Sequence, residues 1–381
     1  MLAQVILLSH GFQAEYECGF ANGLSRNSVA VLLVGSSTTL RDRLDPSVQL
    51  LDYRGSQEPG RSRWAKAANM LRYWRAYSSM IVRMRGIPVH VIGLFSTGSR
   101  WVSLAEAWCT RWLSGGYALT VHNLLPHDRH TRLNQWIMRC IYRSAAVCMV
   151  HTDKMRDELN QGFWVPLRRI QVVEHGIDRL HLQPTKAMPA LRRQFGLPPD
   201  VPVVLFFGAI APYKGLDVLL PAMEIVQRDH PAVLVVAGRC RDAPLKDWLH
   251  RKLAPQMVAG KAFWLDGYLP DEAVAPLFQS ADLLVMPYHH IDQSGVIFMA
   301  LATGVPVVAS DVGSLAQYVA SPGSVVTAGS VPELAAAITH TLAQDKLHPS
   351  AAEAVAKQYL WRYTLAPMVS VYDRLRSGRL A

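Results

Sequence analysis

The 381 residues are half apolar, more than one ordinary core needs, so two domains are expected. No apolar run reaches the roughly 18–20 residues that span a bilayer, and five cysteines without a C-x-x-C pair exclude a disulfide framework or zinc knuckle. The net charge is +10, of which +9 falls in residues 1–175, an asymmetry that suits a phosphate-bearing partner or an anionic surface.

The first apolar run, from Met1 to Ser9, has no basic residue before it. It reads as a buried strand and not as a signal peptide, and the chain is expected to stay in the cytoplasm. Further strand-like runs follow at Val29–Gly35, Val89–Leu94, Tyr117–His122, Ala146–His151 and Ile170–Glu174. After a pause they resume at Val203–Phe207, Val233–Ala237, Ala262–Leu265, Leu283–Pro287 and Val305–Ser310. These runs are rich in Val, Leu and Ile without polar alternation, as in strands buried on both faces of a parallel sheet.

Helical patterns lie between the runs. After Lys214, for instance, Leu216, Leu219, Leu220, Met223 and Val226 share one helical face. Strand–helix alternation predicts an α/β fold whose ligands sit at the carboxyl ends of the strands. The pause, Gly176 to Pro202, holds five prolines and reads as a linker with one short helix near Ala190–Phe195. The expected domains are 1–183 and 184–360. A last helical stretch, about Ala351 to Arg376, leaves 361–381 to cross back onto the first domain.

Two segments carry the chemistry. In the first, a strand ends at Gly208, a tight loop follows, and a helix starts near Gly215, which places Lys214 beside a helix N-terminus. Backbone N–H groups and the helix dipole favour anions there, so a diphosphate is the natural ligand; a solvated lysine at a loop end is the plain alternative. In the second, Ile291 to Ser310, a loop leads into a helix, a glycine stop and a buried strand. Asp292 or Ser294 is placed to cap that helix, and Gly295 lets a ligand approach the backbone.

These segments resemble the donor-binding half of glycosyltransferase family 4. The resemblance rests on P-Y-K-G-L-D-V-L-L from Pro212, G-Y-L-P-D-E-A-V from Gly267, S-A-D-L-L-V-M-P from Ser280, and A-L-A-T-G-V-P-V-V-A-S-D-V-G from Ala300. In the first half, Thr120–His127, Val150–Thr152 and Glu174–Asp178 resemble the family's inter-domain loops. The family implies a GT-B fold, two Rossmann-like domains with parallel sheets facing across a cleft. It also implies retaining transfer from a nucleoside diphosphate sugar to a saccharide acceptor, without a cofactor or a metal.

By position, Lys214 would contact the donor diphosphate, with Gly208 in the same loop and backbone N–H groups near Ser294, Gly295 and Val296 beside it. Tyr268 and Leu269 would receive the base. His122 would face the donor sugar, and Gly11, Phe12 and His127 would line the acceptor side. The family's two glutamates fall at Ile291 and Met299, which leaves Asp292 as the nearest carboxylate, and an arginine usual in the phosphate loop is replaced by Ala209 or Ala211. These departures keep a second reading open, a catalytically inactive partner of an active transferase. A dinucleotide enzyme is disfavoured, because no G-x-G-x-x-G follows the first strand. His289, His290 and Asp292 lack metal-site spacing, and Asp311-Val-Gly313 reads as a turn.

One segment remains. No acidic residue lies between Glu58 and Glu106, while Arg61, Arg63, Lys66, Arg72, Arg75, Arg83, Arg85 and Arg100 do. Trp64, Ala67, Ala68, Leu71, Trp74, Ser78 and Ile81 form one helical stripe among them. The Arg61–Arg85 segment therefore suits either an anionic membrane surface or a core helix with solvated arginines. The membrane reading goes with a polyprenyl-diphosphate-linked acceptor and a peripheral protein at the inner face of the cytoplasmic membrane. No motif supports nucleic acid.

Overall fold

The computed structural model describes residues 3–9, 14–56, 60–92, 100–114, 116–122, 124, 131–178, 181, 186–319, 323–344 and 349–379. The chain divides into two compact units, Met1–Asp178 with Tyr359–Ala381, and Arg179–Gln358.

Unit 1 is built on a seven-stranded parallel sheet. Its strands are β1 (Ala3–Ser9), β2 (Val29–Gly35), β3 (Gln49–Asp52), β4 (Val89–Ile92), β5 (Tyr117–Thr120), β6 (Val147–Val150) and β7 (Ile170–Val172), in the order β3-β2-β1-β4-β5-β6-β7. The central strands are apolar and buried on both faces, as helices on both sides require. Helices α1 (Ala14–Ser25), α2 (Arg63–Arg83), α3 (Arg100–Ser114), α4 (Arg132–Ser144) and α5 (Asp153–Phe163) make the crossovers. Ser62, Thr131 and Thr152 cap α2, α4 and α5 by accepting the N–H three residues on. One core joins the sheet to residues of α2 to α5; the other joins it to α1 and the C-terminal segment.

Unit 2 has a six-stranded parallel sheet of β8 (Val203–Phe207), β9 (Val233–Gly238), β10 (Ala262–Asp266), β11 (Leu283–Met286), β12 (Val307–Ser310) and β13 (Val325–Val326), ordered β10-β9-β8-β11-β12-β13. Strand order reverses beside β8, between β9 and β11, which makes the carboxyl end of β8 the place for a ligand. Its helices are α6 (Met188–Gln194), α7 (Leu216–Asp229), α8 (Ala243–Val258), α9 (Asp271–Ser280), α10 (Gly295–Thr303), α11 (Leu315–Tyr318), α12 (Val331–Ala343) and α13 (Pro349–Lys357). Beneath the sheet, Asp282 pairs with the buried Arg192 guanidinium of α6 and takes the Val203 N–H at 2.7 Å.

The chain then returns to unit 1 through α14 (Trp361–Thr364) and α15 (Ala366–Arg376). The single helical stretch read from Ala351 to Arg376 is thus three helices. The break has two causes: Leu360 pairs in extended form with Ile177, and Pro367 starts a new helix in the first turn of α15. Trp361 is seated against α1, where a Cβ at Gly19 or Gly23 would come within 2.7 or 2.5 Å of its side chain, and one at Gly176 would overlap its ring. Two short edge strands, β3 and β13, have no counterpart in the sequence reading; neither is long enough to show a period.

Candidate functional site

The unit 2 site is shaped by glycines at the carboxyl ends of β8 and β9, Gly208 and Gly238, and by Gly215 in the loop after β8. Gly208 follows β8 at φ +110° and donates its N–H to Ala237 O at 2.9 Å. Any Cβ at Gly238 would overlap the Gly208 carbonyl, and any Cβ at Gly215, at φ +73°, would overlap the Pro287 carbonyl. The loops after β8, β9 and β11 therefore touch backbone to backbone, which only glycine permits.

Between Gly208 and Gly215 the chain makes one tight turn, Pro212–Lys214, and α7 then starts behind the left-handed Gly215. That turn directs Lys214 inward. The side chain is 5% exposed, so the reading of a solvated loop lysine does not hold. Its Nζ lies 5.1 Å from the ring centre of the buried Tyr288, and a Cβ at Gly208 would come within 2.8 Å of Nζ and 3.5 Å of Val296. No carboxylate lies within ion-pair distance of Lys214 among the described residues. Burial without a counter-charge disfavours the ammonium and lowers its pKa to about 8.

The N-terminus of α10 completes this cluster. Ser294 is its N-cap residue, but its buried hydroxyl makes no cap hydrogen bond. The capping expected of Ser294 is thus corrected: its side chain accepts none of the first N–H groups of α10. Open space lies where a Cβ on Gly295 would point. Asp292 stands half-buried in the preceding loop, with its carbonyl accepting the Ser314 N–H and hydroxyl at 3.1 Å each. At Gly313, with φ +59°, any Cβ would overlap the Ile291 carbonyl. Asp311–Gly313 therefore works as a turn that supports the Asp292 loop.

Gly208, Lys214 and Val296 are thus gathered at one point, with Ser294 and Gly295 next to Val296 in the chain. Tyr268 and Leu269 follow β10, at the sheet edge two strands away; Tyr268 is 78% exposed and donates to Asp271 Oδ1 at 2.7 Å. His289 pairs with Asp217 at 2.9 Å, and no group of three or more metal-binding side chains occurs among the described residues. A cavity of about 410 Å³ is lined by Pro212, Tyr213, Leu216, Trp248 and His289 and does not include Lys214.

In unit 1, His122 lies just past β5, half-buried, edge-on to the Tyr16 ring at 4.5 Å. It belongs to a histidine cluster. His151 has Nδ1 2.8 Å from Val173 O, so Nδ1 carries the proton and Nε2 accepts from the Tyr16 hydroxyl at 3.0 Å. His90 bridges Tyr372 and Thr120 at 2.6 and 2.9 Å. Burial lowers all four imidazoles, His90 to about 3, His151 to about 4, and His122 and His175 likewise downward. His122 is therefore a neutral hydrogen-bonding ring at pH 7 and not a cation. Gly11, Phe12 and His127 lie outside the described residues.

Tyr288, Tyr16 and His90 were not singled out from sequence, and His151 and His175 entered only within the segments that resemble the family's inter-domain loops. A signal existed for His90, a polar residue inside the apolar run Val89-His90-Val91-Ile92. Tyr288 follows Pro287 directly and offered none.

Comparison with known proteins agrees with this architecture. Residues 18–179 match the family described as Glycosyltransferase Family 4, and residues 201–344 match Glycosyl transferases group 1. The chain belongs to glycosyltransferase family 4. Among its relatives, the alpha-D-kanosaminyltransferase of Streptomyces kanamyceticus is 27% identical over 61% of this chain and 60% of its own length. The D-inositol 3-phosphate glycosyltransferase of Corynebacterium urealyticum is 28% identical over 71% of this chain and 68% of its own. The chain thus spans 60% and 68% of the lengths of these two curated relatives. Anabaena Alr3699/HepE, solved with UDP and glucose, shares the fold at a TM-score of 0.70 and 18% identity, over 97% of this chain and 100% of that one. Two parallel sheets of this kind are the Rossmann-like halves of the family's GT-B fold.

Proposed function

We propose that this family 4 member is a retaining glycosyltransferase that takes its sugar from a nucleoside diphosphate sugar. One observation carries the reading: Lys214 is a buried cation without a counter-charge, beside a helix N-terminus with open space at Gly295. A diphosphate supplies the missing anion. As the bond from the anomeric carbon to the phosphate oxygen breaks, charge grows on the leaving diphosphate, where Lys214 and the N–H groups of Gly295 and Val296 stabilise it. In this reading Lys214 provides the positive charge, so no metal is required.

Asp292 takes the role of the missing glutamate toward the donor's hydroxyls. Tyr268 and Leu269 receive the base, and His122, kept neutral by burial, hydrogen-bonds the donor sugar. The acceptor is a saccharide, held on a lipid carrier such as a polyprenyl diphosphate. The Arg61–Arg85 segment holds the protein at an anionic membrane surface, in the assembly of a polysaccharide or glycoconjugate. Relatives named D-inositol 3-phosphate glycosyltransferase and 2-deoxystreptamine glucosyltransferase support a hydroxyl acceptor.

Calorimetric titration with UDP, GDP, ADP and their sugars tests the donor site. Binding of one nucleotide class, weakened by Lys214→Ala, supports the reading, and NMR of the product then gives the anomeric configuration. A well-folded protein that binds none of them refutes it. Binding without transfer, together with rescue of a second transferase, would favour the inactive partner.

A further inference from the structure

The helix layer of α2, α3 and α4 carries tryptophans on the outside: Trp64, Trp101, Trp108, Trp112 and Trp136 are all exposed. On α3 the buried positions are Ser103, Glu106, Ala107 and Thr110, while Trp101, Trp108 and Trp112 are exposed, Trp112 by 74%. This reverses the usual amphipathic order. Loose packing does not explain it, because a polar seam fixes the facing of α3. Tyr73 of α2 donates to Glu106 at 2.7 Å, Tyr77 of α2 pairs with Thr110 at 2.5 Å, and Arg111 donates to Ser144 O of α4 at 2.9 Å. Turning the indoles inward would break all three.

The neighbouring helices extend the patch. Trp136 of α4 is exposed and its ring is 6.4 Å from that of Trp101, with Leu133 exposed beside it. On α2 the core side is Tyr73, Tyr77, Met80 and Ile81, so the stripe read from the sequence is mostly uncovered: Trp64 is 86% and Leu71 73% exposed. Exposed apolar area of this extent marks a docking surface. Its charge is one-sided. Residues 60–152 contain thirteen Lys and Arg and two acids, Glu106 and Asp128. Glu106 is buried, and Asp128 lies outside the described residues. Lys66, Arg72, Arg75, Arg83, Arg85, Arg132 and Arg143 are all exposed.

We propose that the outer side of α2, α3 and α4 is a bilayer-docking face, with Trp101, Trp108, Trp112 and Trp136 entering the headgroup region of an anionic membrane. Indoles favour that boundary, where the ring is shielded and its N–H stays wet, and the surrounding cations match anionic headgroups. No helix among the described residues is long and apolar enough to cross the membrane, so this is contact from one side. The inference deepens the membrane part of the proposed function by moving the contact from the Arg61–Arg85 segment alone to three helices.

Co-sedimentation of the full chain with vesicles of phosphatidylcholine, with and without phosphatidylglycerol, tests it. The protein should partition onto the phosphatidylglycerol vesicles, less so at high salt. Trp108→Ser with Trp112→Ser, both exposed, should lower the partition at least about tenfold. Circular dichroism and nucleotide binding by unit 2 show whether that variant is folded and report on the donor site separately. If the double variant partitions like the wild type while changes confined to Arg61–Arg85 abolish partition, the three-helix face is wrong and the segment reading stands. No partition, or self-association in solution that the double variant abolishes, overturns the face as a lipid surface.

Discussion

Replacing Lys214 with methionine should make the protein more stable and less able to bind its donor. The side chain is 5% exposed and has no carboxylate at ion-pair distance among the described residues, and its pKa falls from 10.5 to about 8. Each power of ten in proton affinity corresponds to about 1.4 kcal/mol, so holding the charged form costs unit 2 about 3 kcal/mol. Below pH 8 both the folded and unfolded chains carry the proton, and the cost is paid in full. Between pH 8 and 10.5 only the unfolded chain retains it, so wild-type stability rises with pH relative to Lys214→Met. Above that window the difference closes. At pH 7 the unit 2 transition of Lys214→Met should melt roughly 6–12 °C above the wild type. Adding the matching nucleoside diphosphate should raise the wild type and leave the variant nearly unmoved. Differential scanning calorimetry at pH 7 and pH 10, with and without nucleotide, reads all of these. A variant less stable than the wild type at pH 7 without ligand would refute the idea of an uncompensated buried charge.

Gly313→Ala should weaken nucleotide binding without touching the ligand, because the φ of +59° and the Ile291 carbonyl force the Asp292 loop to shift; titration calorimetry measures the loss, and the strain should cost about 1–3 kcal/mol. Trp361→Ala should destabilise unit 1 by about 3–5 kcal/mol, since α1 carries glycines where the indole fits and cannot close the cavity; urea unfolding followed by circular dichroism checks it. Asp282→Asn should cost unit 2 about 3 kcal/mol by leaving the buried Arg192 guanidinium without its carboxylate, seen as a lower melting temperature with little change in nucleotide affinity.

Much of the fold was legible because parallel strands buried on both faces advertise themselves. Val29–Gly35 and Val203–Phe207 were read to the residue. Strands without that signature escaped: β3 has exposed ends, and β13 is two residues long. The loop after β8 was legible for a different reason. Gly208, Lys214 and Gly215 are close in sequence, so their turn chemistry shows in one short window. Tyr288 joins them only through strand order, and the histidine cluster is assembled from β4, the loops after β5, β6 and β7, and α1. Such convergence has no local sequence signal. Nor does the facing of α3, which is set by Glu106 and Thr110 meeting tyrosines from another helix.

The seat of Trp361 bears on how the chain comes into being. Gly19, Gly23 and Gly176 lie in the early part of the chain, yet the indole they receive is made only after all of unit 2. On the ribosome the leading sheet and α1 must therefore wait with an apolar surface, which includes Phe20, Leu24 and Val31, lacking its last cover. Unit 2 is contiguous, and it can complete its core while the earlier sheet is still unfinished. The half that begins first closes last, and during that interval a chaperone has a defined surface to hold.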